Sequence, residues 1–317
     1  MSSGPKYSAV IPVYNSAGVV GTTLDHTVAF FEGAGLDYEI ICVNDGSRDD
    51  SWQVLQEKAA ANPHIIAINL LHNYGQHNAN MCGFGYASGD WVVTLDDDMQ
   101  NPPEEIIHLI EKAKEGDYDL VIGRFRQKKH AFYRRLGTIL IGAINRKIFH
   151  NQKGLVLSNF RLIRRDVVDR VCSYRTSYPY IPGLTLMFSN RRTNAWVEHR
   201  ERTVGHTNYS VYKILKLVAT ILFNYSSYPL RLVASVGIGI SVLSFALGAF
   251  YVLRSLFHEV QTPGWTTLVV LMSFFNGIVL LTLGMVGEYV VRLLNQSSSA
   301  ESFHVRDVVG ADPHDDG

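Results

Sequence analysis

Three consecutive carboxylates, Asp96, Asp97 and Asp98, with Gln100 just beyond, are the residues here most able to do chemistry. They follow Trp91 to Leu95, an apolar and β-branched run that reads as a buried strand, and Pro102-Pro103 then opens a helix near Glu104. Side chains alternate along extended chain, which puts Asp96 and Asp98 on one side and Asp97 on the other. Two like charges sharing a side at the end of a buried strand repel unless a cation lies between them. Hard divalent ions such as Mg²⁺ take oxygen ligands of this kind and complete their shell with substrate phosphate. The pattern therefore points to a metal-assisted diphosphate site, against the plainer alternative of a solvated acidic turn.

The elements that must position this run follow from hydrophobic spacing. Ser8 to Tyr14, Tyr38 to Val43, Ile65 to Leu70, Trp91 to Leu95 and Leu120 to Gly123 read as strands. Helical spacing occupies 19–34, a segment from just after Asp49 and Asp50 through Ala61, 76–88 and about 104–115. Strands separated by helices imply a mostly parallel α/β sheet with right-handed crossovers. Ligands of such sheets bind beyond the carboxyl ends of the strands, where three oxygen-rich loops would meet: Tyr14-Asn15, Asp45-Gly46-Ser47 and Asp96 to Gln100. The expected occupant is a nucleotide.

The 29 basic and 29 acidic residues of the 317 give a formal charge of zero, but the charge is unevenly spread. Arg124 to Arg165 holds twelve Lys or Arg and not one Asp or Glu, which suits a phosphate-bearing partner or an anionic membrane surface. Nothing in the composition calls for nucleic acid. Cys42, Cys82 and Cys172 lie in or near apolar runs without metal-ligand spacing, as core thiols of a reducing compartment do. No amino-terminal secretion signal is expected, because the apolar run from Tyr7 to Tyr14 is too short.

Two later segments, 232–253 and 265–287, run 22 and 23 residues without a charge, long enough for a transmembrane hairpin. Lys213, Lys216, Arg231 and Arg292 flank their outer ends, so the catalytic domain and both termini are expected on the cytoplasmic side of the plasma membrane. Phe132 to Phe149 has apolar residues at helical spacing with arginines at both ends. It is read as an interfacial helix on the membrane, a core helix being the alternative. Residues 211–228 are read as a second amphipathic helix. The domain plan is a cytosolic unit over 1–207, a juxtamembrane helix over 208–230, the hairpin within 231–292 and a disordered cytosolic tail over 293–317.

Ile11-Pro12-Val13-Tyr14-Asn15, Val43-Asn44-Asp45-Gly46-Ser47 and Leu95-Asp96-Asp97-Asp98-Met99-Gln100-Asn101-Pro102-Pro103-Glu104, in that order, resemble the family 2 glycosyltransferases of the GT-A fold. Within them the chain, from about Tyr7 to Arg292, is similar to the polyprenyl-phosphate glycosyltransferases. The resemblance implies a nucleotide-sugar donor, a polyprenyl-phosphate acceptor, Mg²⁺ or Mn²⁺, and a homo-oligomer, a tetramer by analogy. It implies that Pro12, Tyr14, Val43 and Asp45 hold base and ribose, with Asn15 also binding the donor. Asp96, Asp98 and Gln100 would hold the metal, Asp98 with a catalytic part, while Asp97 touches the donor. An arginine of the family clamps the diphosphate, and either Arg124 or Arg126 matches it.

Ser158-Asn159-Phe160-Arg161-Leu162 falls where relatives usually have Gly-Asp-Phe-Arg-Leu, so Asn159 replaces an aspartate in the catalytic group it would form with Arg161. Asparagine orients an acceptor but accepts no proton; a phosphate acceptor, largely dianionic at neutral pH, softens that loss. Arg161 is either an ion-pair partner or a substrate contact. On the acceptor side the resemblance, with the acid-free block, nominates Arg134, Arg135, Arg202, Asn208 and Lys213; Asn208 stands where lysine is frequent. The expected activity is inverting transfer of one hexose, UDP-glucose first, to polyprenyl phosphate. GDP-mannose or a UDP-N-acetylhexosamine are alternative donors, and a degenerate sugar-nucleotide-binding scaffold is the alternative class.

Overall fold

The computed structural model describes residues 6–125, 151–176, 178–200, 264–297 and 302–310, with scattered residues between 142 and 149 and between 218 and 246. Strand β1 (Tyr7–Val13) is buried at every position, as are β2 (Tyr38–Asn44) and β3 (Ile65–Leu70). Strands covered on both faces are mostly apolar rather than alternating, and these are, apart from the buried Ser8, Glu39, Asn44 and Asn69. Helices α1 (Val20–Gly33), α2 (Ser51–Ala61) and α3 (Gln76–Tyr86) alternate with them, followed by β4 (Trp91–Thr94), a 3₁₀ turn at Pro103–Glu105, α4 (Ile106–Gly116) and β5 (Leu120–Phe125). Every strand and helix expected before residue 125 is present.

Beyond it come β6 (Arg161–Arg164), α5 (Arg165–Ser173), α6 (Ile181–Phe188), β7 (Arg192–Val197), α7 (Trp265–Ser297) and β8 (Val305–Val309). The sheet has eight strands in the order β7-β5-β6-β4-β1-β2-β3-β8. Strands β4, β1, β2 and β3 pair in parallel and so do β5 and β7, while β6 runs against both β4 and β5. That insertion is what periodicity did not reveal. β4 and β5 are not neighbours, and because β6 is antiparallel the residues preceding it lie over the carboxyl end of β4. Thr94 pairs with Arg161, and the Thr94 hydroxyl donates to the carbonyl of Asn159.

The tail corrects another expectation. Residues 305–309 are not disordered: they pair antiparallel with β3 and cover an edge that would otherwise expose unpaired backbone groups. Their Val-x-x-Val-Val pattern supplies the apolar residue, Val309, that packs against the core. The chain divides into two compact units, 1–214 with 300–317, and 215–299.

Of the expected interfacial helix, Asn145 and Phe149 are buried in the first unit. Asn145 donates to the Tyr180 hydroxyl at 3.2 Å, and the Phe149 ring lies 5.8 Å from that of Tyr180. This end of the segment is therefore a core anchor rather than a membrane-facing surface. Among the described residues no helix is long and apolar enough to cross a membrane. The hairpin thus rests on the sequence: most of 232–253 lies outside the described residues, and 265–287 falls within the 33-residue helix α7.

Candidate active site

A cleft of about 430 Å³ opens at the carboxyl ends of the strands, walled by the turns after β1, β2, β3 and β4 and by Asn159 ahead of β6. Pro12, Tyr14, Asp45, Asp96, Asp97, Asp98 and Asn159, all expected from the sequence, line it, joined by Val13, Asn73, Gly75 and Gln76. Tyr14 is 45% exposed, an aromatic face at the mouth.

The turn after β2 is built tightly against the loop after β3. Both oxygens of Asp45 accept backbone N–H groups, from Tyr74 at 2.7 Å and Gly75 at 2.8 Å. Burial nevertheless holds its carboxyl above the usual range, the two N–H groups and His72 offsetting only part of that cost. Gly46 has φ +63°, and a Cβ there would sit 2.6 Å from the backbone nitrogen of Asn73. Only glycine meets both demands. The Asp-Gly pair is thus more than a generic turn, because the close approach brings Asn73 and Gly75 to the cleft wall.

The carboxylates after β4 take three different directions. Alternation would set Asp96 and Asp98 together, but β4 ends at Thr94 and the chain turns at Met99, a non-glycine residue at φ +59°. Asp97 accepts from the backbone of Tyr14 at 3.2 Å and from the Ser16 hydroxyl, which ties the turns after β1 and β4 together. Asp98 accepts from the backbone N–H of Gln100 at 3.1 Å. Asp96 receives the Gln76 amide at 2.8 Å, the Asn101 amide at 3.1 Å and, at 3.5 Å, that of Asn159. Burial pushes Asp96 up to about 6, with the neighbouring charges of Asp98 and then Asp97 adding to it. Asp97 is likewise raised, first by burial.

Among the described residues no three His, Cys, Asp or Glu side chains gather closely enough to hold a metal by themselves. What the carboxylates offer is an all-oxygen donor set whose negative charge is incompletely offset, and the neighbouring Asn101 Oδ1 is buried without a hydrogen-bond partner. Those residues fit a hard cation that draws its remaining ligands from a diphosphate and water. Gln100 is not part of the cleft wall, and its carbonyl accepts from the backbone of Arg200 at 3.0 Å.

Arg161 stands behind the cleft. It is 2% exposed, and its guanidinium donates at 3.1 Å to the side-chain oxygen of Asn159. Burial brings it down to about 10, and burial first, with Arg161 second, holds His77 down to about 4. Arg161 thus dictates which way the Asn159 amide faces: oxygen toward the arginine, nitrogen toward Asp96 and Gln76, the latter at 3.4 Å. An aspartate here would keep an acceptor for Arg161 but could donate nothing to Asp96.

Other expected residues lie elsewhere. Val43 is fully buried, packed toward Gly83 of α3, and the Asn15 side chain accepts from the backbone of Arg48 at 2.8 Å as a turn clamp. The Arg124 guanidinium stacks 4.5 Å from the centre of the Trp196 ring and not in the cleft wall. Arg126, Arg134, Arg135, Arg202, Asn208 and Lys213 lie outside the described residues. Gln76, Asn101 and Ser16 were missed. The signal for Gln76 was its place at the first turn of a helix that begins at the cleft.

The model of the family described as "Glycosyl transferase family 2" matches residues 8–172. The chain is 36% identical over 308 residues to the undecaprenyl-phosphate 4-deoxy-4-formamido-L-arabinose transferase of Proteus mirabilis, covering 96% of this chain and 94% of that one. It is 37% identical over 313 residues to the protein of the same name from Yersinia pestis, covering 97% and 94%. In fold it is similar to glucosyl-3-phosphoglycerate synthase from Mycobacterium tuberculosis, solved with Mn²⁺, uridine diphosphate and phosphoglyceric acid. The TM-score is 0.52 at 16% identity, over 69% of this chain and 77% of that one.

Proposed function

The chain belongs to glycosyl transferase family 2, and on that premise we propose that it moves one glycosyl group from a nucleotide diphosphate sugar to the phosphate of a polyprenyl phosphate, undecaprenyl phosphate first. The observation that carries this reading is the cleft itself, lined by Asp96, Asp97, Asp98 and Asn159 at the carboxyl end of β4. Such a cleft suits a diphosphate accompanied by a divalent cation. Asn159 accepts no proton, so an acceptor that arrives already ionised suits this cleft.

Asp96 and Asp98 would hold Mg²⁺ or Mn²⁺, which when bound neutralises charge developing on the leaving diphosphate. The protein's own groups do the rest. The turn set by Asp45 and Gly46 holds the nucleoside end, with the Tyr14 ring beside it. Asn159, its amide aimed into the cleft by Arg161, orients donor or acceptor oxygen. The acceptor phosphate arrives largely as a dianion and needs no general base. Attack opposite the leaving diphosphate inverts the anomeric centre.

A uridine nucleotide is our first donor base. For the sugar, the hexose expected from the sequence competes with a 4-deoxy-4-formamido pentose, which the names of the relatives favour. The acceptor's chain must stay in a bilayer, so we also propose that the enzyme works at the cytoplasmic face of the membrane, held there by 232–253 and 265–287. Radiolabelled transfer from UDP-glucose and from UDP-4-deoxy-4-formamido-L-arabinose to undecaprenyl phosphate tests the reading. Label entering organic-soluble lipid with either donor supports it and identifies the sugar. Label in polymer, or none with any nucleotide sugar, overturns it.

A further inference from the structure

A row of side chains crosses the carboxyl edge of the sheet from the tail to the donor turn. Asn44 ends β2 and pairs in register with Asn69 of β3, which in turn pairs with Asp307 of β8. The register shifts between Asn69 and Leu70, whose partner is Val305, so Arg306 is the extra residue of a bulge beside this row. Bulges re-aim the side chains next to them. The Asn69 amide nitrogen donates to Asp307 at 3.0 Å, and the Asn44 amide nitrogen donates to the Asn69 oxygen at 2.8 Å. The Asn44 oxygen accepts from the backbone of Ser47 at a long 3.4 Å. Asn44 is 2% exposed and Asn69 8%.

A buried amide can sit either way round, and the long contact from the Ser47 N–H holds the inner end of this row only weakly. A carboxylate only accepts. Asp307, with Arg306 Nε 3.6 Å from the same oxygen, therefore forces Asn69 to present its nitrogen outward and its oxygen inward. Asn44 must then present its nitrogen to Asn69, which leaves its oxygen facing the turn that carries Asp45 and Gly46. The tail also grips the neighbouring loop, since the backbone of Leu71 donates to the carbonyl of His304 at 2.9 Å.

We propose that Asp307 is a positioning residue for the nucleotide donor, setting the direction of the Asn69–Asn44 amide row that ends on the donor turn. The carboxyl-terminal strand thereby governs donor affinity without touching the donor. This rests on reading the cleft as a nucleotide site.

The test uses the full chain in detergent, titrated calorimetrically with Mn²⁺ and whichever of UDP, GDP and dTDP the wild type binds most tightly. Asp307→Asn keeps the shape and abolishes the direction; it should weaken binding about fivefold and raise the donor KM equally, with kcat and lipid KM unchanged. Adding Asn69→Asp returns an acceptor-only group to the row, one strand inward, so Asn44 again presents its nitrogen to it. The double variant should recover wild-type affinity to within about twofold. Unchanged affinity in Asp307→Asn, with or without a fall in Tm, overturns the proposal and leaves only edge cover. So does a double variant no better than the single. A wild type that binds none of the three nucleotides removes the reading of the cleft and this proposal together.

Discussion

Replacing Asp96 by asparagine should stabilise the metal-free protein at neutral pH and not in acid. Asp96 is held at about 6 in the fold against an ordinary 3.8. Its folded form therefore binds a proton more tightly than its unfolded form, the reverse of a salt-bridged carboxylate. The penalty is absent below the unfolded value, grows between the two, and is complete above the folded one. Two units correspond to about 3 kcal/mol of destabilisation at pH 7.5, and the same linkage leaves about 1 kcal/mol at pH 4.5. Asparagine escapes this penalty but has one oxygen, so either the Gln76 or the Asn101 donor must find another partner, at about 1 kcal/mol. The variant should match wild type at pH 4.5 and exceed it by about 2 kcal/mol at pH 7.5, or about 4–8 °C in Tm for a unit of this size. Differential scanning fluorimetry with chelator at both pH values measures it; titrating groups away from the cleft cancel between the two proteins, and relief of the neighbouring Asp97 and Asp98 acts in the same direction as the loss of the Asp96 charge. Saturating Mn²⁺ with UDP should reverse the order at pH 7.5, since only wild type gains from binding. A Tm difference that does not change between pH 4.5 and 7.5 would refute the electrostatic account of this cleft.

Asp98→Asn should cost more than about two orders of magnitude in glycosyl transfer, about 3 kcal/mol of transition-state stabilisation, and chelation should abolish transfer. Full activity in either case would remove the cation from the site. Gly46→Ala combines a positive φ with a 2.6 Å approach to Asn73, so it should cost roughly 2–4 kcal/mol and weaken nucleotide binding with it. Urea denaturation beside a nucleotide titration reads both, and a stable variant binding normally would mean the turn yields easily.

How far the chain is legible depends on the range of the forces involved. Burial on both faces of a strand, one apolar stripe on a helix and a proline pair after an acidic run are local. They write β1 to β5 and α1 to α4 into the order of the residues themselves. They also bring Tyr14, Asp45 and Asp96 to Asp98 to one crevice, because parallel strands carry their following loops to one end. Periodicity says which face is buried but not against which strand. The antiparallel entry of β6 is a long-range choice, and it alone sets Asn159 over Thr94 and Arg161 behind it. The same limit hid Gln76, whose partner Asp96 lies twenty positions away. It hid the tail as well: Val305–Val309 is too short and polar-flanked to announce a strand until the bare edge of β3 supplies its partner. Even the three carboxylates were legible only in type. Their directions were fixed once Met99 turned the chain and Ser16, Gln76 and the backbone of Gln100 each took one of them, contacts that exist only after the loops have been brought together.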